Sequence, residues 1–282
     1  MKKEKIGLKE TQQIALDILK VVSKVCDEQG LRYYLVFGTL IGAIRHKGFI
    51  PWDDDLDIMM PRPDHDMFVK YFMNHPEKFP NLMIFTPDNN RDYPYMITRV
   101  SDDRYRIVMD NEKPYGMGVF IDIYPYDGMG ETWEEAVKFQ RKGDILSSFC
   151  FQASRNHLER GITKSKFRLA IKLPVFLVCK LIGKSFFQKQ LRLLAGQKPF
   201  DMTKYVGNVV WGSGGEVCIY DRKLFDEFIL VDFENEKFKA PAGYHEFLRH
   251  IYGDYMQLPP KKSQKPHHGY YVVKNQLYKT MQ

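Results

Sequence analysis

Residues 31–62 read LRYYLVFGTLIGAIRHKGFIPWDDDLDIMMPR, and the architecture of the chain turns on how this stretch is parsed. Leu31–Phe37 is aromatic and β-branched enough for a strand, Gly38-Thr39 breaks it, and Leu40–Arg45 has the spacing of one or two helical turns. Pro51 restarts an extended segment, and Asp55–Met60 alternates as a second strand that Pro61 ends. Strand geometry points Asp55 and Asp57 to one face, where two carboxylates converge on one hard cation, Mg²⁺ or Mn²⁺. Asp53 has the same parity but follows Pro51-Trp52, in the turn. A strand that turns through Gly38-Thr39 into a helix leaves backbone N–H groups free at the helix start, a cradle for phosphate. Arg45, His46 and Lys47 follow at once, with the charge to neutralise a leaving phosphate.

Outward from this stretch, residues 10–29 form an amphipathic helix, with Ile14, Ile18, Val21, Val22 and Val25 at helical spacing and Gly30 as the stop. Asp64–Asn74 reads as a helix with Asp64 as its cap, and 82–108 as short strands. GVFIDIYPYDG, residues 118–128, reads as a buried strand closed by a turn. Thr132 and Glu135 fit a capping box opening a helix to about residue 150. Val206–Val210 and Glu216–Tyr220 read as strands, and the tail 237–282 as irregular apart from a helix at Tyr244–Tyr252. Asp122 lies in the apolar strand FIDIY, and an unpaired buried carboxylate is costly. It needs either a metal shared with Asp55 and Asp57 or an arginine, Arg99 or Arg104. A strand, a Gly-Thr turn into a helix, Asp-x-Asp on the next strand and a later third acid together describe metal-dependent transfer at phosphorus. On this reading Asp122 shares the metal and accepts the proton of an incoming hydroxyl, and Arg99 is a weaker anion contact. Trp52 is one of several aromatics able to cover a base or a quaternary ammonium.

The 282 residues carry 42 Lys+Arg against 35 Asp+Glu, a net charge of +7, and 44% are hydrophobic. This balance excludes a disordered, collagenous or coiled-coil chain. The basic excess is local: residues 155–192 hold ten Lys+Arg and a single acid, Glu159, so the remainder is slightly acidic. On a helical wheel from Val175, Lys180, Lys184, Gln188, Lys189 and Arg192 share one half, and Val175, Cys179, Ile182, Phe186, Phe187 and Leu193 much of the other. That pattern fits either an anionic membrane surface or packing on the core, and it does not suggest nucleic acid. Three parts are expected: a catalytic core over 1–154, a basic helical insertion over 155–200, and a segment completing the catalytic unit over 201–282. The cysteines, Cys26, Cys150, Cys179 and Cys218, have no metal or redox spacing. The longest apolar run, Leu173–Leu181, is far shorter than the roughly 20 residues of a membrane span. A cytoplasmic protein is expected, with peripheral contact at the inner face of the plasma membrane.

Three ordered blocks, FGTLIGAIRHKGFIPWDDDLDIMMPRPDHDMF, FIDIYPYDG and FKAPAGYHEFLRHIYGDYMQLPPKKSQKPHH, resemble the signatures of the LicD family of phosphotransferases. The resemblance implies an α+β nucleotidyltransferase-like fold of the polymerase-beta superfamily, a mixed sheet flanked by helices. It implies a CDP-alcohol donor, commonly CDP-choline, whose phospho-alcohol passes to a sugar hydroxyl of a cell-surface glycan precursor, lipid-linked while it is built. The eukaryotic relatives fukutin and fukutin-related protein use CDP-ribitol. Asp55 and Asp57 match the family's metal pair, Asp122 its third acid, Gly38 and Thr39 its phosphate-binding turn, and His267 and His268 its C-terminal pair.

Overall fold

The computed structural model describes residues 4–109, 111–158, 166–211, 214–266 and 268–275, with side chains of 166–171 left out. Helix α1 (Leu8–Glu28) buries Ile14, Ile18, Leu19, Val22 and Val25 on one face, and Gly30 ends it at φ +66°. Strand β1 is only Tyr34–Leu35, shorter than the sequence implies. The chain leaves the sheet at Phe37, whose φ of +50° turns it into α2 (Phe37–Ile41) and a π-helical turn, Gly42–His46. Gly42 is required there, since a Cβ would stand 2.4 Å from the Gly48 carbonyl oxygen.

Strand β2 (Asp57–Pro61) runs straight into α3 (Arg62–Asn74). Asp64 is not the cap of α3. Its carboxylate accepts the Arg32 backbone N–H at 2.8 Å and the Arg32 guanidinium at 2.7 Å, while Pro61 holds the cap position. Strands β3 (Leu82–Phe85), β4 (Thr98–Asp102), β5 (Tyr105–Val108) and β6 (Phe120–Gly130) follow. Helix α4 (Trp133–Ser154) is capped as expected, the Thr132 hydroxyl oxygen accepting from the Glu135 N–H at 3.2 Å. Helices α5 (Lys166–Ile182) and α6 (Lys184–Leu194) pack on α4 and are separated by Gly183 at φ +83°. Strands β7 (Tyr205–Gly207) and β8 (Ile219–Asp221) are shorter than expected, because Gly215–Cys218 forms a 3₁₀ turn. The tail is more regular than its composition suggests: β9 (Phe228–Phe233) and β10 (Glu236–Pro241) form a hairpin. Helix α7 (Tyr244–Tyr252) lies where the sequence places it, and β11 (Tyr271–Lys274) pairs with β5.

The main sheet is mixed, in the order β1-β2-β6-β4-β3, with β7 and β8 added along the second half of β6. Only β2 and β6 run parallel, and every residue of both is buried. Their register sets Asp57 beside Asp122, and the antiparallel β4 sets Arg99 on the other side of Asp122. With seven α-helices among the described residues, the architecture is a mixed α/β one.

The basic segment divides only in part into a basic face to water, with Lys172, Lys189 and Arg192 exposed, and an apolar face to the core. Phe176, Cys179, Phe187, Leu191 and Leu194 are buried, but so is Gln188, whose amide donates to the Tyr93 carbonyl at 3.1 Å. Lys180 turns back onto the carbonyls of Ala153 and Arg155 at 3.2 and 2.6 Å. Leu177, Val178, Leu181, Ile182, Phe186 and Leu193 face solvent, Leu181 at 87% exposure. Of the apolar half of the wheel, Cys179 and Phe187 pack inward while Val175, Ile182, Phe186 and Leu193 face solvent. No helix among the described residues is long and apolar enough to cross a membrane.

Candidate active site

The acids sit where β2 begins. Residues 53–56 precede the strand rather than belong to it, so strand alternation does not govern them. Asp55 and Asp57 nevertheless line one cleft together with Asp53. Asp54 and Asp55 both face His268, whose Nδ1 lies 3.1 Å from Asp54 Oδ1 and 3.8 Å from Asp55 Oδ2. Among the described residues, Asp54, Asp55 and His268 place ligand atoms within 4.8 Å of one another, close enough to share a metal ion. His268 stacks on Tyr270, which donates its hydroxyl to the Asp54 carbonyl at 3.3 Å. His267 lies outside the described residues.

Asp53 is buried, and its position is fixed by its backbone: its N–H donates to the Ile50 carbonyl at 2.9 Å and its carbonyl accepts from Gln12 Nε2 at 2.8 Å. Burial, then the charge of Asp55, push its carboxyl up to about 8. Burial likewise raises Asp55, with His268 opposing, and raises Asp57 well above the carboxylate range, reinforced by Asp55 and Asp122. Asp57 Oδ1 is buried without a hydrogen-bond partner. A set of buried acids that raise one another's proton affinity, with one orphaned oxygen, is a set short of positive charge. A divalent cation fits that donor chemistry.

Asp122 has one of the two arginine partners that the sequence left open for it. Arg99 grips both of its oxygens, Nε at 2.5 Å and Nη2 at 3.3 Å, and both side chains are buried. The guanidinium is sandwiched between Tyr95 and Phe120, 4.2 Å from each ring centre. Arg99 is therefore committed to Asp122, behind the acids, and is not an anion contact in the cleft. It also answers the cost of burying Asp122.

The cleft beside the acids measures about 710 Å³. Gly38, Arg45, Trp52, Tyr252, Tyr255 and Leu258 line it. Gly38 has a steric reason to be glycine: a Cβ would come within 2.7 Å of Asp53 Oδ2. Thr39 is buried, and its hydroxyl oxygen accepts the Asp57 N–H at 2.8 Å, fixing the start of β2. Arg45 donates to the carbonyls of Tyr255 and Gln257 at 2.7 and 3.3 Å, tying the C-terminal segment across the cleft. His46 packs edge-on to Trp52, and burial with the Arg45 charge lowers its proton affinity. Lys47 is exposed, at φ +58°, and its carbonyl accepts the Glu234 N–H at 2.8 Å. Neither His46 nor Lys47 lines the cleft. Tyr252 and Tyr255 lie within the third sequence block and Tyr270 just beyond it, but nothing in the sequence assigned any of the three to the site.

Buried acids at the head of a parallel strand pair, a histidine closing over them and a deep cleft alongside define a group-transfer enzyme. Comparison with known proteins gives the class its family. The family description LicD/FKTN/FKRP, nucleotidyltransferase domain, matches residues 30–159. The chain is 34% identical over 273 residues to the lipopolysaccharide cholinephosphotransferase LicD of Haemophilus influenzae, covering 94% of this chain and 97% of that protein. A Rickettsia typhi protein of uncharacterised function is 28% identical over 128 residues, 45% of this chain and 39% of its own. The chain belongs to the LicD family and is a LicD-type phosphotransferase.

Proposed function

We propose that the chain moves phosphocholine from CDP-choline to a sugar hydroxyl of a lipopolysaccharide or related cell-surface glycan precursor, releasing CMP. The observation that carries this reading is the cluster Asp53, Asp54, Asp55, Asp57 and His268 beside a cleft large enough for a nucleotide. The name of the Haemophilus relative supports choline and lipopolysaccharide. The nucleotidyltransferase wording of the family description supports kinship with the polymerase-beta superfamily.

Asp54, Asp55, Asp57 and His268 are the residues that would hold a divalent cation. When bound, such a cation offsets the charge of the donor diphosphate and fixes it for in-line displacement. The acceptor hydroxyl attacks the distal phosphorus, the bond from that phosphorus to the bridging oxygen breaks, and CMP departs with the electron pair. The hydroxyl proton passes to a carboxylate, and Asp53 in its ionised form, which lines the cleft outside the set that would hold the cation, is the candidate acceptor. Asp122, opposite Asp57 in the strand register, is held in place by Arg99 for the role of third acid that the sequence motif gives it. Arg45 holds the tail residues Tyr255 and Gln257 in place and lends its charge to the cleft.

The three-part division of the chain is part of this proposal. The basic insertion brings a lipid-linked acceptor to the site: the solvent-facing residues Leu177, Val178, Leu181, Ile182 and Phe186 form an apolar face, with exposed Lys172 and Lys189 to meet anionic headgroups. Incubation with Mg²⁺ and a panel of CDP-choline, CDP-ribitol and CDP-glycerol, followed by product analysis, tests the function. Free CMP with CDP-choline is expected. CMP only from CDP-ribitol or CDP-glycerol transfers the assignment to that alcohol, and a nucleotidyl adduct without CMP identifies a true nucleotidyltransferase.

A further inference from the structure

A second cavity, about 290 Å³, shares Asp57 with the nucleotide-sized cleft. Phe37, Asp57 and Tyr252 line both, so the two spaces meet at the acid cluster. Tyr124 and Trp211 complete an aromatic enclosure. Phe37 stands edge-on to Tyr124 with ring centres 5.3 Å apart, and Tyr124 edge-on to Trp211 at 6.2 Å. Trp211 is braced from behind by Tyr95, 5.4 Å away. Its backbone is also pinned: Asn208 Oδ1 accepts the N–H groups of Val210 and Trp211 at 3.0 and 2.9 Å. The rings are therefore preorganised, and Phe37 keeps its place at a positive φ of +50°.

Three features of the cavity select its occupant. No lysine, arginine or histidine lines it among the described residues, so it has nothing to hold an anion. Its one acid, Asp57, is shared with the larger cleft, so the cavity opens directly onto the acid cluster. The Asn208 Nδ2 amide is also buried without a partner, and gives a donor for an oxygen attached to the occupant. A cation wrapped in methyl groups satisfies all three. It sheds little hydration on entry, its charge falls on π faces, and its linked oxygen meets Asn208 beside the acid cluster.

We infer that this cavity is the alcohol subsite and holds a quaternary ammonium group, with Trp211 and Tyr124 as the residues that determine specificity. The inference rests on the phosphotransfer reading above and names the part of the donor that each cavity takes: nucleotide in the larger, choline methyl groups in the smaller, and the scissile phosphate at Asp57 between them.

The test compares CDP-choline with CDP-ethanolamine, which share the nucleotide and differ in the three methyl groups. The wild-type protein should favour CDP-choline, and Trp211→Leu should lower the choline-to-ethanolamine ratio of kcat/KM by about tenfold, the order of a desolvated cation–π contact. Trp211→Phe, which keeps an aromatic face, should restore most of the ratio, and CMP release is the readout throughout. Equal losses with both donors, or an unchanged ratio, overturn the subsite. Release of CMP from CDP-ribitol or CDP-glycerol but not from CDP-choline also overturns it while leaving phospho-alcohol transfer standing. No CMP from any CDP-alcohol defeats the phosphotransfer reading itself.

Discussion

Replacing Arg99 with methionine removes one half of a buried ion pair and keeps most of its volume. The Arg99 and Asp122 side chains are 6% and 4% exposed, so water cannot replace the lost partner. Asp122 would then face Asp57 directly across the parallel strands, and Asp57 already has an oxygen without a partner. Breaking a buried pair from one side costs about 3–5 kcal/mol. Loss of the Tyr95–Arg99–Phe120 sandwich acts in the same direction. For 282 residues the entropy of unfolding is about 0.6 kcal/mol per kelvin, so a 4 kcal/mol loss lowers Tm by about 7 °C. Urea titration followed by circular dichroism, with a calorimetric melt alongside, measures both quantities. Adding Asp122→Asn to Arg99→Met should recover at least about 2 kcal/mol, because a neutral amide leaves no buried charge uncompensated. A single substitution costing less than about 1 kcal/mol, or a double substitution whose cost is the sum of the two, refutes the reasoning.

Three further outcomes follow from the same geometry. Asp53, Asp55 and Asp57 are raised above the ordinary 3.8, so between about pH 4 and about pH 8 the folded chain keeps protons that the unfolded chain has released. Stability of the metal-free protein should therefore fall as pH rises through that window, by up to about 1.4 kcal/mol per unit for each retained proton. Melts in EDTA that are flat or rise with pH contradict this. His268→Ala removes a ligand from the Asp54–Asp55 pair and should weaken Mn²⁺ binding by about tenfold in titration calorimetry; an unchanged affinity excludes His268 from the site. The protein should float with liposomes containing phosphatidylglycerol at low salt, and Leu181→Glu, at the most exposed apolar position of α5, should reduce the floated fraction severalfold. Absence of flotation by the unaltered protein removes the membrane role from α5.

The long helices, the β6 strand and the acid motif were legible because each rests on a local signal: helical spacing in α1, a capping box before α4, an apolar run in FIDIY. What escaped depends on contacts between distant segments. Asp54 was passed over, and it lies ahead of the point where strand pairing begins. Asp64 looked like a cap, and the Arg32 guanidinium, from a different element, claims it instead. The basic half of α5 and α6 could not be oriented fully from a wheel, since Gln188 finds a carbonyl partner in the core. Arg99 and Asp122 were both noted, and the alternative of an arginine partner was open. Only the register of β4 against β6 brings that arginine to that acid.

The central claim is that the acids at the head of β2 hold a divalent cation for phospho-alcohol transfer. Its most direct test is CMP release from CDP-choline with Mg²⁺, with EDTA, and with Mg²⁺ in Asp55→Asn and Asp57→Asn, each variant checked for a native circular-dichroism spectrum. Turnover that requires the metal and disappears in both variants, with the spectrum unchanged, is the predicted result. Full activity in EDTA, or in either folded variant, would contradict it.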